Sequence, residues 1–451
     1  MALAKHSSVI TLTFNPPSLR WVLILPALLA LTGAWFAIRW YVGSTIAEYT
    51  STPDADGIEM ARLATRWSPD DPLTHWRLGF LQEKNFSAEN LAAAVREYQL
   101  AVEVEPNDFR YWMELGRALE AAGDIENGEK ALRRAVELAP SYSHPRWQYG
   151  NLLLRQGRVD EAFAQLSQAA EADSQMEPPV FGLATQMFDG DIDKISRALP
   201  SASLRLHFAL SLVGSGKPDQ ALQVVNTVSA ADRKTEPEAI NDLIKAFTQG
   251  HHYRAALALL RDVQADGSQL PAPESIWNGG FELPLTYRDQ ALFHWLINPS
   301  SQVQIAADNV GPHSGGKSLH ITFKSTNKLE SIPISQTVIV EPDTQYRLQF
   351  YQRSKDLTTA SVPLVVVDDA EGKGLASAPP FPSGTSDWQL VTVNFKTKSA
   401  EDGILITLYR NPCSDKGTIC PIFGDIWYDD FSLQRIGSSG APAANASSRS
   451  R

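Results

Sequence analysis

Cysteine is nearly absent from this chain: 451 residues contain two, Cys413 and Cys420. None lies near the amino terminus to carry a lipid, and no second pair of soft ligands stands beside NPCSDKGTICP, which argues against a zinc site. Their seven-residue separation, flanked by Pro and Gly, permits a disulfide in an oxidising compartment, with two free thiols as the alternative. A clustered basic stripe is also missing. With a formal charge of −11, the chain lacks the surface that neutralises nucleic-acid phosphates. Catalytic signatures are lacking too, since no nucleophile elbow or metal-protease helix occurs. The adjacent acids Asp368-Asp369 and Asp429-Asp430 sit on strands or strand ends, where successive side chains diverge rather than flank one scissile bond. No catalytic residue is therefore assigned. The 43% of hydrophobic residues is ordinary for globular structure, and the length allows about three domains.

What is present begins with an apolar run. Residues 21–38, WVLILPALLALTGAWFAI, carry no charge, and the run extends to residue 42 if Arg39 snorkels beside Trp40 and Tyr41. A secretory signal has an apolar core of about 7–15 residues and a small-residue cleavage site. This run is longer, and its one weak cleavage candidate is Thr45-Ile46-Ala47. Residues 21–42 therefore read as an uncleaved transmembrane anchor. Residues 1–20 carry Lys5 and Arg20 and no acid, whereas Glu48, Asp54, Asp56 and Glu59 follow the run. The positive-inside bias places 1–20 in the cytoplasm and everything after about residue 44 on the periplasmic or extracellular side.

Next comes a repeat. Pro72, Pro106 and Pro140 recur every 34 residues, and Gly116 and Gly150 keep the same interval. Between Pro106 and Pro140, Trp112, Leu115 and Leu119 mark one amphipathic helix and Ala131, Leu132, Ala135 and Leu138 a second, around a turn at Ala122-Gly123-Asp124. Trp112, Leu115, Gly116, Ala135 and Pro140, then Tyr149, Gly150, Leu153, Ala162, Leu166 and Ala169, resemble the tetratricopeptide repeat family. Gly116 and Ala162 are small because two helices cross closely there. The resemblance covers 55–265 and is strong over 72–170; the stretch from Pro72 has extra residues near Asn85, and 57–68 reads as a half-repeat capping the stack. Such solenoids dock partner segments on the face lined by the first helix of each pair. That implies a protein-binding face with Arg110, Arg117, Trp147, Asn151 and Arg155. His251-His252 is no metal pair, since adjacent helical side chains point about 100° apart.

Gly and two prolines break the helical period at 266–275, which reads as a linker. From 276 to 436 short runs alternate with period two, among them SLHITF, SQTVIV, YRLQFYQR, VPLVVVD, WQLVTVNF, GILITLYR and IWYDDFSL, with turn residues between them. Asn278-Gly279-Gly280-Phe281-Glu282, the stretch 313–319, Tyr346 to Tyr351, Asp387-Trp388 and Tyr428-Asp429-Asp430-Phe431 occur in order. Together they resemble the galactose-binding-type jelly roll of carbohydrate-binding modules, families four and nine. The resemblance implies a structural calcium between Glu282 and Asp429, with a backbone carbonyl near Lys317. It also implies a glycan surface. Alternation sends Tyr346, Leu348 and Phe350 to the core and Tyr351 and Arg353 to the opposite face, which Tyr409 and Trp388 join. In the family it resembles, Trp388, like Trp295, is more often a packing residue than a ligand platform. Residues 311–318, GPHSGGKS, satisfy the spacing of a phosphate-binding loop, but LHITF follows as a strand where that chemistry needs a helix. Nucleotide binding is not expected. The Gly-, Ser- and Ala-rich tail 437–451 reads as disordered.

The whole reads as a multidomain chain: a single transmembrane helix, an all-α solenoid and an all-β sandwich. Its function reads as that of a non-enzymatic membrane-anchored envelope scaffold, binding a protein through its repeats and a glycan through its sandwich in exopolysaccharide or cell-surface assembly. The alternative is a purely protein-binding scaffold.

Overall fold

The structure, a computed structural model, describes residues 17–84, 87–263, 270–287, 292–298, 300–327, 329, 331–411, 413 and 419–436. Asn85, most of the 1–20 segment, part of 266–275 and the tail 437–451 lie outside them. Two compact units result, residues 1–200 and 201–451.

The first unit begins with helix α1, Pro17–Tyr49. Its apolar side chains from Ile24 to Tyr41 are exposed, and the helix is long and apolar enough to cross a membrane. The final turns differ. Gly43 and Ala47 are buried, and a Cβ on Gly43 would stand 2.5 Å from the Ser68 Cβ. That close approach seats α2, Ala55–Trp67, antiparallel against the end of α1. The half-repeat at 57–68 packs on the following helix through Ile58 and Ala61 against Leu78 and Leu81, and on its other side it partners the apolar helix, because small residues at Gly43, Ala47 and Ala64 let the two backbones meet.

Three helix pairs follow: α3 (Pro72–Glu83) with α4 (Ala88–Val104), α5 (Phe109–Ala121) with α6 (Ile125–Leu138), and α7 (Ser143–Arg155) with α8 (Val159–Ala172). Asp71, Ser87, Asp108 and Asp124 cap four of these helices, their side chains accepting from amides two or three residues on. The period of 34 has a steric cause. A Cβ on Gly116 would lie 2.6 Å from Leu132 Cγ, and one on Gly150 2.7 Å from Leu166 Cγ, so each pair crosses at a distance only glycine allows. Gly123 and Gly157 turn the chain at φ +86° and +77°. Helices α9 (Glu177–Met187) and α10 (Ile192–Ala198) complete the unit.

The second unit contains helices α11 to α15 (Ala202–Gly214, Pro218–Asn226, Ala230–Thr235, Pro237–Gln249 and Tyr253–Val263) together with the sandwich. Composition places a linker at 266–275; by packing, the helices from Ala202 on group with the sandwich. The reason is a non-local cap. Asp402, in the sandwich, accepts from the amides of Tyr253 and Arg254 at 3.1 and 3.0 Å, and Arg254 pairs with Glu341 at 2.9 Å.

Eleven strands form among the described residues: β1 Thr286–Tyr287, β2 Leu296–Ile297, β3 Val303–Asp308, β4 Ser318–Asn327, β5 Ser331–Ile339, β6 Gln345–Thr359, β7 Pro363–Asp369, β8 Gly374–Ser377, β9 Gly384–Lys396, β10 Gly403–Arg410 and β11 Ile419–Arg435. One sheet runs β1-β2-β5-β10-β7-β8, the other β3-β4-β11-β6-β9. Their inner faces bury Phe281, Trp295, Tyr346, Leu348, Phe350, Tyr428 and Phe431 in one core. Cys413 and Cys420 are joined as a disulfide with Cα atoms 5.5 Å apart. Beside it the fully buried Arg410 donates to the carbonyls of Ser361, Cys420 and Pro421.

Candidate functional site

Strand alternation sorts the five-stranded sheet. On β6, Tyr346, Leu348 and Phe350 enter the core, so Tyr351 and Arg353 face outward. Pairing register then sets Arg353 beside Trp427 on β11, and Trp427 beside His320 on β4. The Arg353 guanidinium lies 4.3 Å from the Trp427 ring centroid and 5.2 Å from that of Trp388 on β9. His320 stacks on Trp427 at 4.3 Å, and its two ring nitrogens meet Asp308 and Asp425. A row of π-faces and cations thus crosses four adjacent strands, β4-β11-β6-β9.

The loop between β3 and β4 lies over one end of this row. Gly311 and Val310 offer carbonyls to Arg353 at 3.0 and 2.7 Å, and Gly311 also accepts from the Trp388 indole at 3.2 Å. His313 stacks on Tyr351 with centroids 3.5 Å apart and stands edge-on to Trp388 at 5.7 Å. Its Nδ1 is held by Asp430 at 2.6 Å. Tyr351 is consequently roofed by an imidazole and supports the surface instead of presenting its own plane.

Of the residues read as glycan-binding, Tyr351, Arg353 and Trp388 come together. Tyr409 does not join them. It lies on β10 of the six-stranded sheet, whose outward face points away from the five-stranded one across the core. Trp388 is half-exposed, whereas Trp295 is 1% exposed and belongs to the core. His313, His320 and Trp427 were missed. The signal for two of them was available: His320 lies between buried Leu319 and Ile321, and Trp427 between buried Ile426 and Tyr428, so period two puts both on the outer face, where Trp427 is covered to 3% exposure between His320 and Arg353.

The phosphate-loop-like string GPHSGGKS is that same loop, and strand β4 follows it. Its amides do hold anions, but the anions belong to the chain. His313 and Ser314 donate to Asp429 at 2.9 and 3.2 Å, Gly316 and Lys317 to Glu282 at 2.7 and 3.1 Å. Asp429 is fully buried, and burial raises its carboxyl pKa despite these bonds. A calcium site needs about six to eight oxygens around one point. Here Glu282 Oε1 and Asp429 Oδ2 are taken by backbone N–H donors, and no group of three or more acidic, His or Cys side chains gathers among the described residues. This donor set does not fit calcium as arranged.

On the solenoid, the residues read as partner-binding are largely engaged by neighbouring solenoid residues. Arg117 bridges α5 to Glu83 on α3, with Nη2–Oε2 at 2.7 Å, and also meets Glu114. Burial opposes its charge, but Glu83 and Glu114 outweigh that and raise its pKa. Arg155 on α7 reaches Glu120 on α5 at 2.7 Å, repeating the rung one unit later. Arg110 folds back on Asp108, and Asn151 donates to the Trp147 carbonyl at 2.8 Å. First-helix charges therefore tie successive pairs together.

Comparison with known families agrees with this architecture. Residues 86–143 and 119–187 match tetratricopeptide repeat families, and residues 273–415 match a carbohydrate binding domain, CBM_4_9. Both are non-catalytic binding domains. No curated protein matches the chain. Similar solved structures include a crystal structure of MamA, 15% identical over 40% of this chain and 90% of that one, with a TM-score of 0.26. Another is MamA from Desulfovibrio magneticus RS-1, 12% identical over 42% and 92%, TM-score 0.28. A CBM4 structure is 15% identical over 36% and 99%, TM-score 0.27. Residues 86–187 are thus tetratricopeptide repeats and residues 273–415 a carbohydrate binding domain, carried on one chain behind an apolar helix long enough to cross a membrane.

Proposed function

We propose that the protein is a non-enzymatic, membrane-anchored adaptor whose repeats hold a protein partner and whose sandwich contacts an uncharged glycan. The bulk of the chain then lies beyond the cytoplasmic membrane, in a cell-surface or exopolysaccharide assembly. The observation that carries the glycan reading is the half-exposed Trp388 on this outer face, with Arg353 over its ring and His313 edge-on beside it. Aromatic planes flanked by fixed polar groups suit the apolar faces and hydroxyls of pyranose rings. An uncharged sugar is favoured because the polar groups of the row are already occupied. Arg353 is taken up by two carbonyls and two indoles, and His320 by two carboxylates. Lys355, one row on, faces Asp425 across the β6–β11 pair.

Packing supports an anchor over a cleaved leader. Ala47, the end of the weak cleavage candidate, is fully buried against the first helices of the solenoid, so cutting there would remove part of that unit's own core. Affinity electrophoresis of the detergent-solubilised chain through neutral and uronate-containing polysaccharides tests the glycan reading. Retardation by a neutral polymer, lost in Trp388→Ala, is expected. Equal mobility of both proteins in every polymer would leave the protein-only scaffold.

A further inference from the structure

Helix α1 does not end where its apolar surface ends. It continues for two turns past Tyr41, and those turns are packed into the solenoid through Gly43 and Ala47. Because α2 returns antiparallel along α1, its last turn lies closest to the apolar stretch. The Arg39 side chain reaches back along the helix and its Nη2 donates to the Arg66 carbonyl at 3.3 Å, tying the last turn of α2 to the end of the apolar stretch. Residues 21–38 carry no charge, and at 1.5 Å per residue they span about 27 Å, close to the hydrocarbon thickness of a bilayer of about 30 Å. From Gly43 on, α2 occupies one flank of the helix, where Ser68 meets it.

We infer that the corner formed by Arg39 with Arg66 and Trp67 at the end of α2 is seated in the lipid headgroup layer, so that the solenoid rests on the membrane at a fixed height. The inference depends on α1 being the membrane anchor. The occupant is argued from continuity and charge: the exposed apolar helix runs directly into this corner, and Trp40 and Tyr41 add the aromatic side chains that favour the interface. Arg66 projects into solvent from the last turn of α2, beside half-buried Trp67. An exposed arginine and an indole at this level match phosphate headgroups and the boundary just beneath them.

The full chain reconstituted in phosphatidylcholine–phosphatidylglycerol vesicles tests this, with an environment-sensitive fluorophore on a single introduced thiol. Cys413 and Cys420 are bonded to each other and do not compete for label. Leu31→Cys is expected to be quenched by chain-labelled nitroxide lipid, Arg66→Cys by headgroup-labelled lipid, and Glu126→Cys on α6 by neither. Quenching at residue 31 without quenching at 66 overturns the inference while leaving the anchor intact. No quenching at 31 removes the anchor and the inference together. In a Gly43→Leu background, which forces α2 away from α1, the signal at 66 is expected to fall by at least half while that at 31 persists. An unchanged signal at 66 would show that the docked corner does not set the height.

Discussion

Replacing Gly116 by alanine puts a methyl group 2.6 Å from Leu132 Cγ and 3.0 Å from the Gly128 carbonyl, in the crossing of α5 and α6. Leu132 is 1% exposed and has little room to move away. Overpacking of this kind costs about 1–3 kcal/mol. Alanine in a helix interior also returns about 1 kcal/mol relative to glycine. The net for Gly116→Ala is therefore a loss of up to about 2 kcal/mol, too small a number to interpret alone. Gly182 supplies the control. It lies inside α9, and a Cβ there meets nothing within 4 Å, so Gly182→Ala keeps the propensity gain of about 1 kcal/mol without the clash. The difference between the two variants isolates the packing cost at about 1–3 kcal/mol. Urea unfolding of the solubilised full chain, followed by far-ultraviolet circular dichroism, measures both. A Gly116→Ala protein stabilised as much as Gly182→Ala would refute the claim that the 34-residue period records a steric requirement.

His75 gives a pH prediction. Burial opposes its charge, but Glu97 at 2.8 Å, the Pro69 carbonyl at 2.9 Å and Asp71 outweigh burial and raise its pKa above the usual value of about 6.5. A raised folded value means the stabilisation is complete below about pH 6.5 and is lost as pH climbs through the folded value. The melting temperature of the repeats is expected to decline over that window in wild type and to stay level in His75→Gln; parallel profiles would sink the assignment. Chelation addresses the sandwich. With Glu282 and Asp429 turned to backbone amides, EDTA should leave the Tm unchanged, and a fall reversed by added calcium would show that those carboxylates hold a cation.

The helix pairs were readable because their cause is local. Glycine and a leucine sixteen residues on recur in sequence as they do in space, as Gly116–Leu132 and Gly150–Leu166 show. The sandwich was readable strand by strand, yet alternation along YRLQFYQR says only which residues avoid the core. A sandwich has two outward faces, and period two cannot choose between them, which is how Tyr409 was grouped with Tyr351. The grouping of the later helices with the sandwich is hidden for a related reason. The cap that binds α15 to the sandwich joins Tyr253 to Asp402 across 149 positions, and no composition shift announces it. Tyr351 was correctly turned outward, but the imidazole above it comes from a loop whose path depends on Glu282 and Asp429.

That loop has a consequence for any free anion that meets this surface. Its four inward amides are already satisfied by two carboxylates covalently tethered to the same molecule, so an incoming phosphate competes with occupants at a high effective concentration. It would also have to expel Asp429 from a fully buried seat and leave the evicted charges to find water. A glycine-rich string that elsewhere waits for a guest is here a latch thrown from within, and what it keeps shut is the angle at which His313 and Trp388 meet.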